Sequence, residues 1–183
     1  PTGASSRPAP ATALGLESDK FDAKALEDHL SQYVGVLLER TQPRAKEHGL
    51  TTLHMDSWES SAQNWTPTLL DEFKKRRGYD ARPWLPVYTG RAIQSLEASE
   101  RFLWDLRLTA QELVLENYAG HLKTLGQKHG LELSIEPYDM NPTADLDLGA
   151  DDRVGTDFDA RIQPSVRSND CRGVDGAQLR PSA

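Results

Sequence analysis

Three acids in the sequence sit where they could do chemistry on a bond between two sugars. The segment His54-Met55-Asp56-Ser57-Trp58-Glu59 holds two of them beside an imidazole and an indole, and Ser134-Ile135-Glu136-Pro137-Tyr138 holds the third. Hydrolysis of a glycosidic bond uses two carboxyl groups: one protonates the leaving oxygen, and the other attacks the sugar or activates a water. Glu59 and Glu136 are the candidates for this pair, 77 residues apart in sequence. Trp58 and Trp65 offer flat faces on which a sugar ring can stack. Gln63 and Asn64 can hydrogen-bond hydroxyl groups, and His54, Asp56 and Tyr138 complete a polar substrate-binding set. Each cluster also has a plainer reading. Asp56 to Glu59 has the spacing of a capping box that opens a helix. Glu136 suits an exposed acid in a strand-to-loop turn, with Pro137 keeping it out of the helical region.

Such acids need a scaffold, and the flanking pattern suggests one. Leu26, Leu30, Tyr33, Val34, Leu37 and Leu38 recur at helical spacing after Asp22, a suitable N-cap, and Pro43 interrupts the pattern. Glu47-His48-Gly49-Leu50 then leads into the β-forming run at 51–55. Thr66 and Pro67 are placed to open a second helix. Asp71 and Glu72 fall early in it, Lys74 to Arg77 in its last turn, and Gly78 stops it. The basic run is thereby explained as a helix end rather than a binding patch. Residues 79–91, with Pro83, Trp84, Pro86 and Tyr88, read as an aromatic loop that covers a site. A long helix is expected from Ser95 or Ser99 to Lys128, followed by His129-Gly130-Leu131 and a second β-forming run. Twice, therefore, the chain runs helix, His-Gly-Leu, short strand, carboxylate. His48 and His129 are expected to cap or pack at helix ends rather than bind metal. Weaker strands are expected near 12–17 and 85–89. In an α/β barrel the C-terminal ends of the strands face the active site, so Glu59 and Glu136 are expected at one end of neighbouring or near-neighbouring parallel strands.

Several separate motifs, in order, resemble one known family. They are Gly15-Leu16-Glu17-Ser18-Asp19-Lys20, the run from His54 to Glu59 with Gln63-Asn64-Trp65-Thr66-Pro67, Arg77-Gly78-Tyr79-Asp80, Leu85-Pro86-Val87, Ser99-Glu100-Arg101-Phe102-Leu103-Trp104-Asp105, and Ser134 to Tyr138. Together they resemble glycoside hydrolase family 106, the α-L-rhamnosidases, over roughly residues 15–150. The resemblance implies a (β/α)8 catalytic barrel, of which this chain would be an incomplete piece with long helices and few parallel strands. It also implies an inverting mechanism and a calcium ion in the sugar site. By this resemblance Glu59 matches the general acid, and Glu136 matches an acidic residue near the calcium and the sugar hydroxyls. Calcium suits such a place, because a hard cation held by carboxylates can take vicinal hydroxyls as further oxygen ligands. Two other readings stay open. One is a carbohydrate-binding remnant without catalysis. The other is a retaining barrel glycosidase using Glu59 and Glu136 as acid and nucleophile. Carboxylate separation distinguishes the mechanisms, at about 5 Å for retaining and roughly 6.5–9.5 Å for inverting enzymes.

The family places a second catalytic glutamate on a strand shortly after the Glu-Pro-Tyr motif, and no counterpart stands here. The chain passes Asp145, Asp147, Gly149, Asp151 and Asp152, and 151–183 shows no helix or strand period. That stretch is expected to be an unstructured tail, or translation out of frame. Residues 1–14 read as linker or a cut end. A net charge of -7 argues against a nucleic-acid partner. No apolar run approaches a membrane span. The lone Cys171 forms no intrachain disulfide. An extracytoplasmic place is expected for the full-length protein, and oligomeric state is not indicated.

Overall fold

The computed structural model describes residues 10–41, 50–56, 63–135 and 161–162. Asp22 caps α1 (Ala23–Leu30), its carboxylate accepting from the Lys24 amide. The helix continues through a π-helical stretch, Ser31–Gly35, into α2 (Val36–Thr41). After β1 (Thr52–Met55) comes α3 (Leu69–Arg77), which Gly78 closes at φ 80° with its amide on the Lys74 carbonyl. The helix begins after Thr68, two residues later than Thr66 and Pro67 suggest. The reason is tertiary: the buried Thr66 hydroxyl donates to Asp19 Oδ2 at 2.8 Å and is therefore no cap.

The aromatic segment expected as a site-covering loop is a 3-10 helix, Arg82–Thr89, and so are the residues 85–89 expected as a weak strand. Pro83 and Pro86 lack the amide hydrogens that a strand ladder needs. The segment covers hydrophobic core instead. Trp84 stacks on Phe102 at 5.9 Å between ring centres, and Phe73 meets the edge of Tyr79 at 5.0 Å. Phe73, Ala81, Val87 and Phe102 are buried there together. Near the other weak strand, 11–13 is a single 3-10 turn.

Ser95 caps α4 (Leu96–Val114) by accepting from the Ala98 amide at 3.0 Å. The helix runs on through a second π-helical stretch, Leu115–Gly120, into α5 (His121–Lys128), as one rod of the length expected. Gly130, at φ 72°, reverses the chain, and the Leu131 amide returns to the Gly126 carbonyl at 2.9 Å. β2 (Glu132–Ile135) follows at once.

The basic end of α3 is more than a complement to the helix dipole. Arg76 pairs with Glu72 on its own helix and with Glu112 and Glu116 beyond it, while Arg77 reaches Glu112 and donates to Thr109. These pairs join α3 to the long rod, and the carboxylates push the Arg76 guanidinium further toward its charged form.

Three strands form a parallel sheet in the order β1-β2-β3, where β3 is Arg161–Ile162. β1 and β2 pair level, Thr52 opposite Glu132 and Met55 opposite Ile135. β3 pairs Ile162 with Ile135 and lies in the stretch expected to be unstructured; the rest of 151–183 is outside the described residues. Side chains alternate across a strand. Leu53, Met55, Leu133 and Ile135 turn into a core shared with Phe21, Leu26, Leu69, Leu113, Val114 and Leu122. Gly126 lets α5 approach this face, since a Cβ there would lie 3.3 Å from Leu53 Cδ1. Among the described residues the chain is thus a mixed, mostly helical fold in which helices cover one face of a small parallel sheet.

Candidate functional site

The other face of the sheet is polar. Thr52 and His54 on β1, with Glu132 and Ser134 on β2, alternate with the core residues, and all but the half-buried Ser134 are exposed. His54 Nδ1 lies 3.3 Å from Ser134 Oγ across the two strands, a hydrogen bond whose direction follows the imidazole tautomer. The other ring nitrogen of His54 is 3.9 Å from Asp56 Oδ1, and the Asp56 carboxylate is largely in solvent. Parallel sheets normally have both faces covered. Among the described residues no helix covers this polar face.

Because β1 and β2 are parallel and level, their C-terminal ends reach the same edge. Glu136 directly follows β2, and Glu59 follows β1 by four residues. Both glutamates, together with Trp58 and Tyr138, lie outside the described residues. The structure brings together His54, Asp56 and Ser134. Ser134 was not singled out from the sequence. Its signal was there: it stands two residues before Glu136, and strand alternation places such residues on one face.

Gln63 and Trp65 sit differently from a plain hydroxyl-binding and stacking pair. The Gln63 side-chain Oε1 accepts from the Lys20 amide at 3.0 Å, and its Nε2 donates to Asp19 Oδ1 and to the Trp65 backbone carbonyl. Trp65 is half-buried against the first core, and Asn64 between them is exposed. Sequence reasoning did not find Asp19 as the hub of this arrangement, since its partners lie 44 and 47 residues away.

His129 ends α5 as its C-cap, exposed, in the helix-end position expected; His48 lies outside the described residues. Among the described residues no group of three or more His, Cys, Asp or Glu side chains could hold a metal ion. Calcium takes about six to eight oxygen ligands, so these residues by themselves do not make a calcium site.

The family model for glycoside hydrolase family 106, α-L-rhamnosidase, matches residues 1–152. The chain belongs to this family. The match takes in residues 1–14, read above as linker or a cut end, and ends close to residue 150, where the sequence resemblance was expected to stop. A rhamnosidase of Novosphingobium sp. PP1Y has a similar structure, with a TM-score of 0.67 and 38% identity over 73% of this chain. A putative β-glucuronidase of Formosa agariphila is 36% identical over 152 residues, 82% of this chain. The chain spans 13% of the length of each of these proteins. Its described residues include two level parallel strands with a polar face between them.

Proposed function

We propose that this family 106 segment is part of the (β/α)8 catalytic barrel of an inverting enzyme that removes terminal α-L-rhamnose from plant or bacterial polysaccharides or glycosides. The observation that supports the reading is the level, parallel pairing of β1 and β2, which brings the ends of the two strands, Met55 and Ile135, to one edge beside a polar face; Glu59 and Glu136 follow these strands in sequence. In this reading Glu59 protonates the glycosidic oxygen as the bond to rhamnose breaks. A base elsewhere in the enzyme takes a proton from the water that attacks the opposite face of the sugar. His54, Asp56, Asn64 and Tyr138 bind hydroxyls, and Trp58 stacks on the ring. Such substrates are met outside the cytoplasm, which favours an extracytoplasmic place. Among the described residues no helix is long and apolar enough to cross a membrane.

Two relatives bear names of different activities, so the test begins with the sugar released. A full-length enzyme carrying this segment is expected to free rhamnose from an aryl α-L-rhamnoside and to leave an aryl β-glucuronide intact. Proton NMR taken before mutarotation should show β-rhamnose first. α-Rhamnose as the first product would mean retention, and release of glucuronate alone would overturn the substrate.

Calcium in the sugar site would draw on Glu136 and the sugar hydroxyls, given that the described residues do not supply a site of their own. Removing divalent cations with a chelator should abolish activity of the full-length enzyme, and added calcium should restore it. Activity unchanged by chelation would remove Glu136 from any metal role.

A further inference from the structure

On the open face of the sheet, side chains meet across the two strands at His54 and Ser134. These are register partners on β1 and β2, and His54 Nδ1 lies 3.3 Å from Ser134 Oγ. Both strands are held from the opposite face. The neighbours of the pair, Leu53 and Met55 on β1 and Leu133 and Ile135 on β2, pack into the first core. The pair therefore sits on anchored backbone, where a side chain is held more precisely than on a loop. It stands one residue before the strand ends, beside the edge that Met55 and Ile135 reach together. The His54 side chain is 42% exposed and that of Asp56 80%, so ligand atoms can reach both.

The two nitrogens of the imidazole have different surroundings. Nδ1 has the Ser134 hydroxyl, while Nε2 is 3.9 Å from Asp56 Oδ1. That second distance is too long for a direct hydrogen bond and suits an oxygen placed between the two groups. A carboxylate accepts hydrogen bonds, with room for several donors. Its presence on the Nε2 side favours the tautomer with hydrogen on Nε2, and Ser134 then donates to Nδ1. A sugar hydroxyl lying between them accepts from Nε2 and donates to the carboxylate. We propose that Ser134 is a positioning residue for sugar recognition: its hydroxyl holds the His54 ring so that Nε2 and Asp56 together grip one hydroxyl of the terminal sugar. Ser134 does not touch the sugar in this role. The inference rests on the reading of His54 and Asp56 as hydroxyl-binding residues.

Loss of one hydrogen bond that orients a binding group costs about three- to tenfold in affinity. In the full-length enzyme, Ser134→Ala should raise KM on an aryl α-L-rhamnoside by about that factor, with the change falling on KM rather than kcat, the mark of lost uniform binding. The decisive measurement uses analogues of this substrate that each lack one ring hydroxyl. The wild-type enzyme should show a raised KM for the analogue without the gripped hydroxyl. In His54→Ala and in Ser134→Ala that one penalty should shrink while the others stay, and the double variant should be no worse than His54→Ala alone. Ser134→Thr, which keeps the hydroxyl and suits a strand, should restore the wild-type pattern. If Ser134→Ala does not fold, Ser134→Cys replaces the hydroxyl by a weaker donor at similar size and reads the same penalties. A merely structural serine would weaken all the analogues alike. That outcome, an unchanged KM and unchanged penalties in Ser134→Ala, or additive losses in the double variant, overturns the proposal. If His54→Ala alters the penalties and Ser134→Ala does not, the pairing is wrong and the assignment of His54 stands. If His54→Ala leaves KM and every penalty as in the wild type, His54 does not bind the sugar, and the proposal falls with that assignment.

Discussion

Glu59→Gln in a full-length enzyme carrying this segment is expected to lower hydrolysis of a natural rhamnoside by about 10²–10⁴-fold, the usual contribution of a general acid, while substrate still binds. Glutamine keeps the shape of the side chain and a hydrogen bond to the glycosidic oxygen but has no proton to give. Cleavage of an alkyl or sugar leaving group therefore stalls, because the departing alkoxide is a poor leaving group without protonation. A nitrophenyl-type leaving group departs as a stabilised anion and should be far less affected. Comparing kcat on the two substrates measures this difference, and binding of rhamnose to the variant, followed by calorimetry, shows that the site is intact. Equal loss on both substrates would assign Glu59 a structural role. The prediction concerns a residue beyond the described part of the β1 loop, so it stands on the family match, on the direction in which β1 delivers the chain, and on the chemistry of the substrate.

The 183-residue chain expressed by itself is expected to release no rhamnose above background, the larger effect of the two. Family relatives are much longer, and this chain covers 13% of their length. Its sheet has three strands among the described residues, whereas a parallel barrel must close on itself to surround a site. The polar face of β1 and β2 has no covering layer among the described residues, and parallel strands with an uncovered face or edge invite association with other chains. Apolar side chains stand out on the helices too: Leu96 is 70% exposed, Trp104 66% and Tyr33 61%. Exposed apolar surface of this kind marks contact sites. In addition, the sequence after Glu136 holds no further glutamate to match the second catalytic glutamate that the family resemblance implies, so the isolated chain is expected to lack the base that activates the water. Thermal unfolding of the isolated chain should be broad, with aggregation. A sharp cooperative melt together with rhamnose release at the rate of the Novosphingobium rhamnosidase would overturn this expectation.

Much of the local structure was legible from residue types alone. Asp22 as a helix cap, Ser95 as one of two starts for the long rod, Gly78 as a helix stop, and the charge order along α3 each depend on neighbours within about one helical turn. The two strands preceding the carboxylates were legible because alternation and β-forming composition act over a few residues. The repeated helix, His-Gly-Leu, strand pattern pointed to parallel neighbours, and β1 and β2 pair that way.

What the tertiary structure decided is the fate of side chains whose partners lie far away in sequence. Thr66 had the residue type of an N-cap but gives its hydroxyl to Asp19, so α3 starts later. Gln63 looked available for sugar hydroxyls but has both ends of its amide on protein groups. The aromatic stretch 79–91 looked like cover for a site, yet Trp84 and Val87 close a hydrophobic cluster against Phe102, because burying rings against α3 and α4 removes more apolar surface from water than a loop could. Arg76 and Arg77 matched a helix end and in addition found Glu112 and Glu116 across 35 to 40 residues. A sequence carries capping and periodicity within a turn or two, so those features can be read directly. Which of several competent partners a polar or aromatic side chain takes depends on distances that exist only after the helices have packed on the sheet.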